Sequence, residues 1–136
     1  MITDEQRATL IARAREAREL AYAPYSKYKV GATLLGESGK IYTGANVENA
    51  AYPSSMCAER TALYHAVSKG ERRFVAGAVV THNGGSPCGA CRQAMSEFGL
   101  DMLIITADLE GRYVEKPLRE WLPGAFGPQD LHADEH

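Results

Sequence analysis

The chain has 136 residues, 45% of them hydrophobic, which suffices for one domain, 1–136, to bury a continuous core without staples. Fifteen Lys and Arg against seventeen Asp and Glu give a formal charge of -2, dispersed along the chain, which argues against a nucleic-acid-binding surface. The longest apolar stretches, 75–80 and 102–107, are strand-sized, and the N-terminus has no basic start followed by an apolar run, so no membrane span and a cytoplasmic location are expected.

Over residues 3–23, Leu10, Ile11, Ala14, Ala17 and Leu20 recur at helical spacing, Thr3 and Gln6 are set as a capping box, and Pro24 follows. A first helix is expected there. Residues 28–35 are rich in Val, Thr and Leu, residues 37–40 form a turn, and residues 41–45 resume an extended pattern, which predicts a β-hairpin. Ala58, Ala62, Leu63, Ala66 and Val67 make a second helical stripe, with Ser54 and Ser55 as cap candidates and Gly70 behind it. Residues 74–81 read as a strand, broken by Asn83, Gly84 and Gly85, and residues 88–98 as a third helix with Gly99 at its end. A buried strand over 100–107, a turn at Glu110 and Gly111, a short strand at Tyr113 and Val114, and a short helix over 118–122 follow. The tail 129–136 is polar and acidic, without apolar periodicity, and is expected to be loosely held. Alternating helices and strands predict an α/β layer with partly parallel strands.

Three cysteines cannot all pair within one chain, and in a reducing compartment Cys88 and Cys91 read as metal or redox chemistry. Spaced three apart they share one side of a helical turn, and Cys57 opens another helix. Structural zinc sites use four protein ligands, whereas catalytic ones use three and leave a position for water. No fourth cysteine exists, and His65, His82, His132 and His136 do not follow the Cys88 and Cys91 pair at the spacing of a zinc finger or ribbon. A site closed by one His stays open as an alternative, as does a Cys88–Cys91 redox pair. Glu59, two residues after Cys57, is placed to act on metal-activated water without ligating the metal, the arrangement that hydrolytic deamination of an amidine-like ring needs. A lone helical Glu or Arg is ordinarily solvated, and only the distance from Cys57 singles Glu59 out. Three thiolates overload a dication with negative charge; the helix N-termini, Arg60 and Arg92 can offset it, and Arg60 is expected to hydrogen-bond a ligand sulfur.

Five ordered motifs stand in the chain: Ala-Pro-Tyr-Ser-Lys-Tyr at 23–28 with Val-Gly-Ala at 30–32, Asn-Val-Glu-Asn-Ala-Ala-Tyr at 46–52, Cys-Ala-Glu-Arg-Thr-Ala at 57–62, Pro-Cys-Gly-Ala-Cys-Arg-Gln at 87–93 and Leu-Pro-Gly-Ala-Phe at 122–126. With them the chain resembles, over nearly its whole length, the short, homotetrameric, zinc-dependent cytidine deaminases. The resemblance implies a three-layer α-β-α fold around a five-stranded mixed sheet, with one zinc ion per chain between the starts of the two central helices. It implies Cys57, Cys88 and Cys91 as metal ligands, Glu59 as the catalytic proton carrier and Arg60 as the group that offsets thiolate charge. Asn46 and Glu48 would hold the ribose hydroxyls, Ala58 would touch the substrate, and Tyr28 would pack on the pyrimidine. Phe126 would reach into a neighbouring subunit's site, and Tyr52 in the same way. Tyr28 stands where phenylalanine is more usual, so its hydroxyl needs a partner or a route to water. Taken alone, Asn46 reads as turn chemistry, Tyr28 as a strand aromatic and Phe126 as an anchor for the C-terminal segment.

The implied activity is deamination of cytidine and 2′-deoxycytidine to the uridine counterparts with release of ammonia, in pyrimidine salvage. Three rival readings remain. A deaminase of modified nucleosides or of a cytosine-containing antibiotic shares the chemistry, a polynucleotide-editing deaminase would need a basic groove and stacking platforms, and a structural zinc module would need a fourth ligand.

Overall fold

A computed structural model of the chain describes residues 2–131. Helix α1 (Asp4–Arg18) begins on a complete capping box: Gln6 N donates to Thr3 Oγ1 at 3.0 Å, and Thr3 N donates to Gln6 Oε1 at 2.9 Å. It stops at Arg18, short of the expected residue 23, and Leu20 is 82% exposed rather than part of the apolar stripe. The cause is a competing backbone pairing, in which Tyr22 N donates to Asn46 O and Glu48 N donates to Tyr22 O, drawing the chain into an extended path.

Strands β1 (Gly31–Gly36) and β2 (Ile41–Ala45) form the expected hairpin. Strand β1 starts later than residue 28 because Asn46 replaces the ladder there: Val30 N donates to Asn46 Oδ1 at 2.9 Å and Asn46 Nδ2 donates to Tyr28 O at 2.8 Å. A single 3-10 turn, Tyr52–Ser54, precedes α2 (Ala58–Ser68). Neither Ser54 nor Ser55 caps α2. Its N-cap is Cys57, while Ser55 Oγ accepts from Asn49 N at 3.0 Å and so holds the loop before it. Next come β3 (Phe74–Val80), α3 (Gly89–Ser96), β4 (Leu103–Ala107), β5 (Tyr113–Pro117), α4 (Leu118–Trp121) and α5 (Pro128–Leu131). The start of the segment read as a loose tail thus lies in a helical turn, and residues 132–136, with His132 and His136, lie outside the described residues.

The five strands run in the order β2-β1-β3-β4-β5, antiparallel except for the parallel pair β3 and β4, so the sheet is mixed. The strand period of two sends alternate residues to opposite faces. Ala32, Leu34 and Ile104 pack with Ala62, Leu63 and Ala66 of α2 and Cys91 and Met95 of α3, while Leu35, Ala78, Val80 and Ile105 pack with Leu10 and Ala14 of α1. Helix, sheet and helix pair form three layers. Leu10, Leu63, Met95, Ile104, Ile105 and Leu118 are fully buried, each stabilising the fold by about 1.5–3 kcal/mol. Thr33, buried in β1, remains compatible with the core because its hydroxyl donates to Leu10 O at 2.9 Å.

One glycine sets the approach of α2 to the sheet. A Cβ at Gly44 of β2 would fall 2.5 Å from Ala62 N and 2.7 Å from Ala58 O. Only glycine lets the first turn of α2, with Cys57 and Glu59, lie this close to the strand.

Candidate metal centre and pocket

Both central helices begin on a cysteine. Cys57 is the N-cap of α2 and Cys88 that of α3, Cys91 follows in the first turn of α3, and neither N-cap makes a side-chain capping bond. The first-turn N–H groups therefore keep their positive end free, which favours thiolates at both helix starts. The packing of α2 on α3 brings the sulfurs together: Cys57 Sγ is 3.7 Å from Cys88 Sγ, Cys88 Sγ is 3.3 Å from Cys91 Sγ, and all three lie within 4.8 Å of one another. Two sulfurs each about 2.3 Å from a tetrahedral zinc stand about 3.8 Å apart, so this cluster fits one zinc ion per chain. Among the described residues, no His or carboxylate joins the three sulfurs, which disfavours a closed four-ligand site. The third sulfur beside the Cys88 and Cys91 pair likewise disfavours simple redox chemistry.

Arg60 Nη2 donates to Cys57 Sγ at 3.5 Å, placing positive charge on the cluster. Arg92 does not share that task. Its guanidinium donates to Pro87 O at 2.8 Å, Trp121 O at 2.7 Å and Ser86 Oγ at 3.0 Å, fixing the loop that leads into Cys88. A hydrogen bond with Cys91, helped by Arg60, lowers the Cys57 thiol to about 5, while the same contact with Cys57 and burial push the Cys91 thiol up.

A cavity of about 310 Å³ adjoins the cluster. It is lined by Cys57 and Cys88, by the sequence-singled Tyr28, Asn46, Glu48, Ala58 and Glu59, and by apolar walls from Val30, Met56 and Val79. Glu59 is 6% exposed, unlike the solvated carboxylate that a first helical turn ordinarily carries. Burial pushes its carboxyl up to about 7 and the charge of Cys57 adds to this, while its own backbone N–H pulls the other way.

Glu48, the other carboxylate that lines the cavity, is fixed by three donors. Its Oε1 accepts from Tyr25 N at 2.9 Å and Ser26 N at 3.0 Å, and its Oε2 accepts from the Ser26 hydroxyl; these donors, the Ser26 hydroxyl first, keep its carboxyl below the usual range. Asn46, 8% exposed, does the backbone work that its turn chemistry suggests, yet the second lone pair of Oδ1 and second hydrogen of Nδ2 remain for a ligand.

Tyr52 and Phe126 stand apart from this cavity. Tyr52, 71% exposed, borders a neighbouring cleft with Tyr25, Ser26, Glu48 and Ser55. Phe126 is 55% exposed, its carbonyl accepting from Gln93 Nε2 at 2.8 Å, so it is not buried as an anchor under its own chain. Sequence reasoning passed over Ser26, Thr81 and Ser86, which also line the cavity. Ser26 lies inside the 23–28 motif and could have been found there; Thr81 and Ser86 carry no local signal.

Three comparisons agree with this geometry. Residues 4–107 match the family model described as the cytidine and deoxycytidylate deaminase zinc-binding region. The chain is 52% identical over 125 residues to the cytidine deaminase of Sporosarcina psychrophila, covering 90% of this chain and 92% of the relative. It is 48% identical over 129 residues to that of Halalkalibacterium halodurans, covering 93% and 98%. The crystal structure of cytidine deaminase from Burkholderia pseudomallei superposes with a TM-score of 0.85 at 45% identity, covering 92% of this chain and 100% of that one. With a three-sulfur cluster at two helix starts and a buried carboxylate in the pocket beside it, the chain belongs to the cytidine and deoxycytidylate deaminase family.

Proposed function

We propose that this enzyme deaminates cytidine and 2′-deoxycytidine hydrolytically to uridine and 2′-deoxyuridine, releasing ammonia, in the cytoplasmic salvage of pyrimidines. The observation that carries the reading is Glu59, buried in the wall of a nucleoside-sized cavity whose same wall holds Cys57 and Cys88. Three free thiols fit a reducing compartment, and among the described residues no helix is long and apolar enough to cross a membrane.

Cys57, Cys88 and Cys91 hold the zinc, which when bound supplies a Lewis acid that makes water nucleophilic near neutral pH. A carboxylate oxygen of Glu59 would take a proton from the attacking water as its oxygen adds to C4 of the base. The same carboxyl would pass that proton to N3 of the base, then take the second one from the new C4 hydroxyl and hand it to the amino nitrogen as the C4–N bond breaks and ammonia leaves. Val30, Met56 and Val79 keep the pocket dry around this transfer. Glu48 and Asn46 receive the ribose hydroxyls, and Tyr28 and Ala58 border the pyrimidine. Steady-state turnover of cytidine, 2′-deoxycytidine and free cytosine tests the reading. Both nucleosides turn over and the sugarless base is poor; equal kcat/KM for base and nucleoside would refute the assigned ribose contacts.

Arg60 offsets thiolate charge through its bond to Cys57 Sγ. Arg60→Gln is expected to lower kcat/KM about tenfold and to move the acid limb of its pH profile upward, with little change in thermal midpoint. An unchanged pH profile would dismiss the compensation.

The active enzyme is a homotetramer whose sites lie at subunit interfaces, with Phe126 and Tyr52 lent by neighbours. Support comes from the exposure of both rings and from the Gln93 bond that presents the Phe126 segment outward. Glu59→Ala and Phe126→Ala chains, each poorly active alone, are unfolded, mixed equally and refolded with zinc. Sites joining an intact Glu59 with a neighbour's intact Phe126 then arise in about a quarter of cases, and activity exceeds the mean of the parents. Activity equal to that mean would place Phe126 in the service of its own chain.

A further inference from the structure

A phenol in the wall of a largely apolar cavity needs a hydrogen-bond partner. The Tyr28 hydroxyl finds it 55 residues away, donating to Asn83 Oδ1 at 2.7 Å. The same oxygen accepts from Thr81 Oγ1 at 3.2 Å, and Thr81 Oγ1 in turn accepts from Gly85 N at 2.8 Å. Tyr28, Thr81 and Gly85 all line the cavity, and Asn83 joins them from behind. Gly85 is part of the fit: a Cβ there would fall 2.4 Å from the Tyr28 hydroxyl oxygen. His82 packs its ring on Tyr28 in a T-shaped contact with the centroids 5.3 Å apart. The loop then runs through Ser86 and Pro87 into Cys88.

We propose that Asn83 is a positioning residue for the nucleoside: it locks Tyr28 and the loop 81–87 into one preformed wall, and thereby sets affinity rather than the rate of proton transfer. The inference rests on the deaminase reading for the identity of its ligand. Its bonds go to Tyr28 and Thr81, whereas Glu59 and the sulfur cluster are held by α2 and α3. Without the acceptor, the Tyr28 hydroxyl turns toward water or toward the cavity, and the wall must be ordered anew each time a ligand binds. That loss falls equally on bound substrate and transition state, so it belongs in KM.

The test compares Asn83→Leu, Asn83→Asp and Tyr28→Phe, each alone, and Asn83→Leu combined with Tyr28→Phe. Steady-state kinetics on cytidine and the dissociation constant of uridine by calorimetry are measured for every chain. Asn83→Leu raises KM and the uridine dissociation constant about three- to tenfold with kcat within about twofold of wild type. Asn83→Asp, which keeps the acceptor, restores KM to near wild type. In the Tyr28→Phe background the effect of Asn83→Leu shrinks, because the bond it removes is already gone. Unchanged KM and affinity in Asn83→Leu, an Asp variant as weak as Leu, or the same shift in both backgrounds would overturn the inference. A wild-type chain without turnover, whose uridine binding still weakens in Asn83→Leu, would overturn the deaminase reading and leave this inference standing.

Discussion

Glu59→Ala is expected to keep the fold and the zinc while turnover of cytidine falls by about a hundred- to ten-thousandfold or more, the contribution typical of general acid–base catalysis. Two carboxylates line the cavity, and they are not equivalent. Glu48 already accepts from Tyr25 N, Ser26 N and the Ser26 hydroxyl, so it is ill placed to collect and return protons. Glu59 is buried in the first turn of α2 beside the sulfur cluster, with no ion pair to hold it among the described residues, and in the proposed reaction its loss removes the proton carrier without removing a ligand. Because a buried carboxyl opposes folding, the variant's thermal midpoint stays level or rises. Retained turnover in a zinc-replete Glu59→Ala chain would move the proton transfer to another group.

Cys88→Ala carries the second large effect. Cys88 is the most exposed of the three sulfurs and touches both others, at 3.7 Å to Cys57 and 3.3 Å to Cys91, so its removal opens the centre of the cluster. Zinc content is expected to fall from one per chain to below about half after dialysis, with turnover lost in proportion. The thermal midpoint falls too, because a metal bridging α2 and α3 binds the folded state alone and its binding energy is folding energy. Metal analysis and a melting curve check both. Full zinc retention in the variant would remove Cys88 from the ligand set.

The parts of this account that were legible in the sequence are those fixed by local rules. Thr3 and Gln6 form the capping box that their spacing implies, and the 37–40 turn closes the hairpin. The cysteines were legible at helix starts, Cys57 from the apolar stripe behind it and Cys88 and Cys91 from the helical segment that Gly99 closes, which is also why Glu59 could be placed beside the metal before any contact was known. Long-range backbone pairing was not legible. The stripe of α1 continues through Leu20, yet the helix ends at Arg18 because Tyr22 pairs with Asn46 and Glu48 across a separation that no local pattern encodes. Asn46 stands in for the β1 ladder for the same reason. Ser54 and Ser55 have good capping chemistry, but the helix they precede begins on Cys57, whose sulfur is turned to its two partners instead. The partner of the Tyr28 hydroxyl was equally out of reach. Asn83 reads as part of a turn, and only the folding of that turn over the cavity brings it to 2.7 Å.

The central claim is that the three-sulfur cluster and Glu59 act together as a hydrolytic deaminase. Ammonia and uridine release from cytidine, measured side by side for the purified chain as isolated, after chelation, and after zinc is returned, tests it most directly. The expected result is one ammonia per uridine in the isolated protein, turnover abolished by the chelator, and turnover restored by about one zinc per chain. Deamination that persists in protein shown by metal analysis to be free of zinc, or a zinc-replete chain that releases no ammonia, would contradict the account.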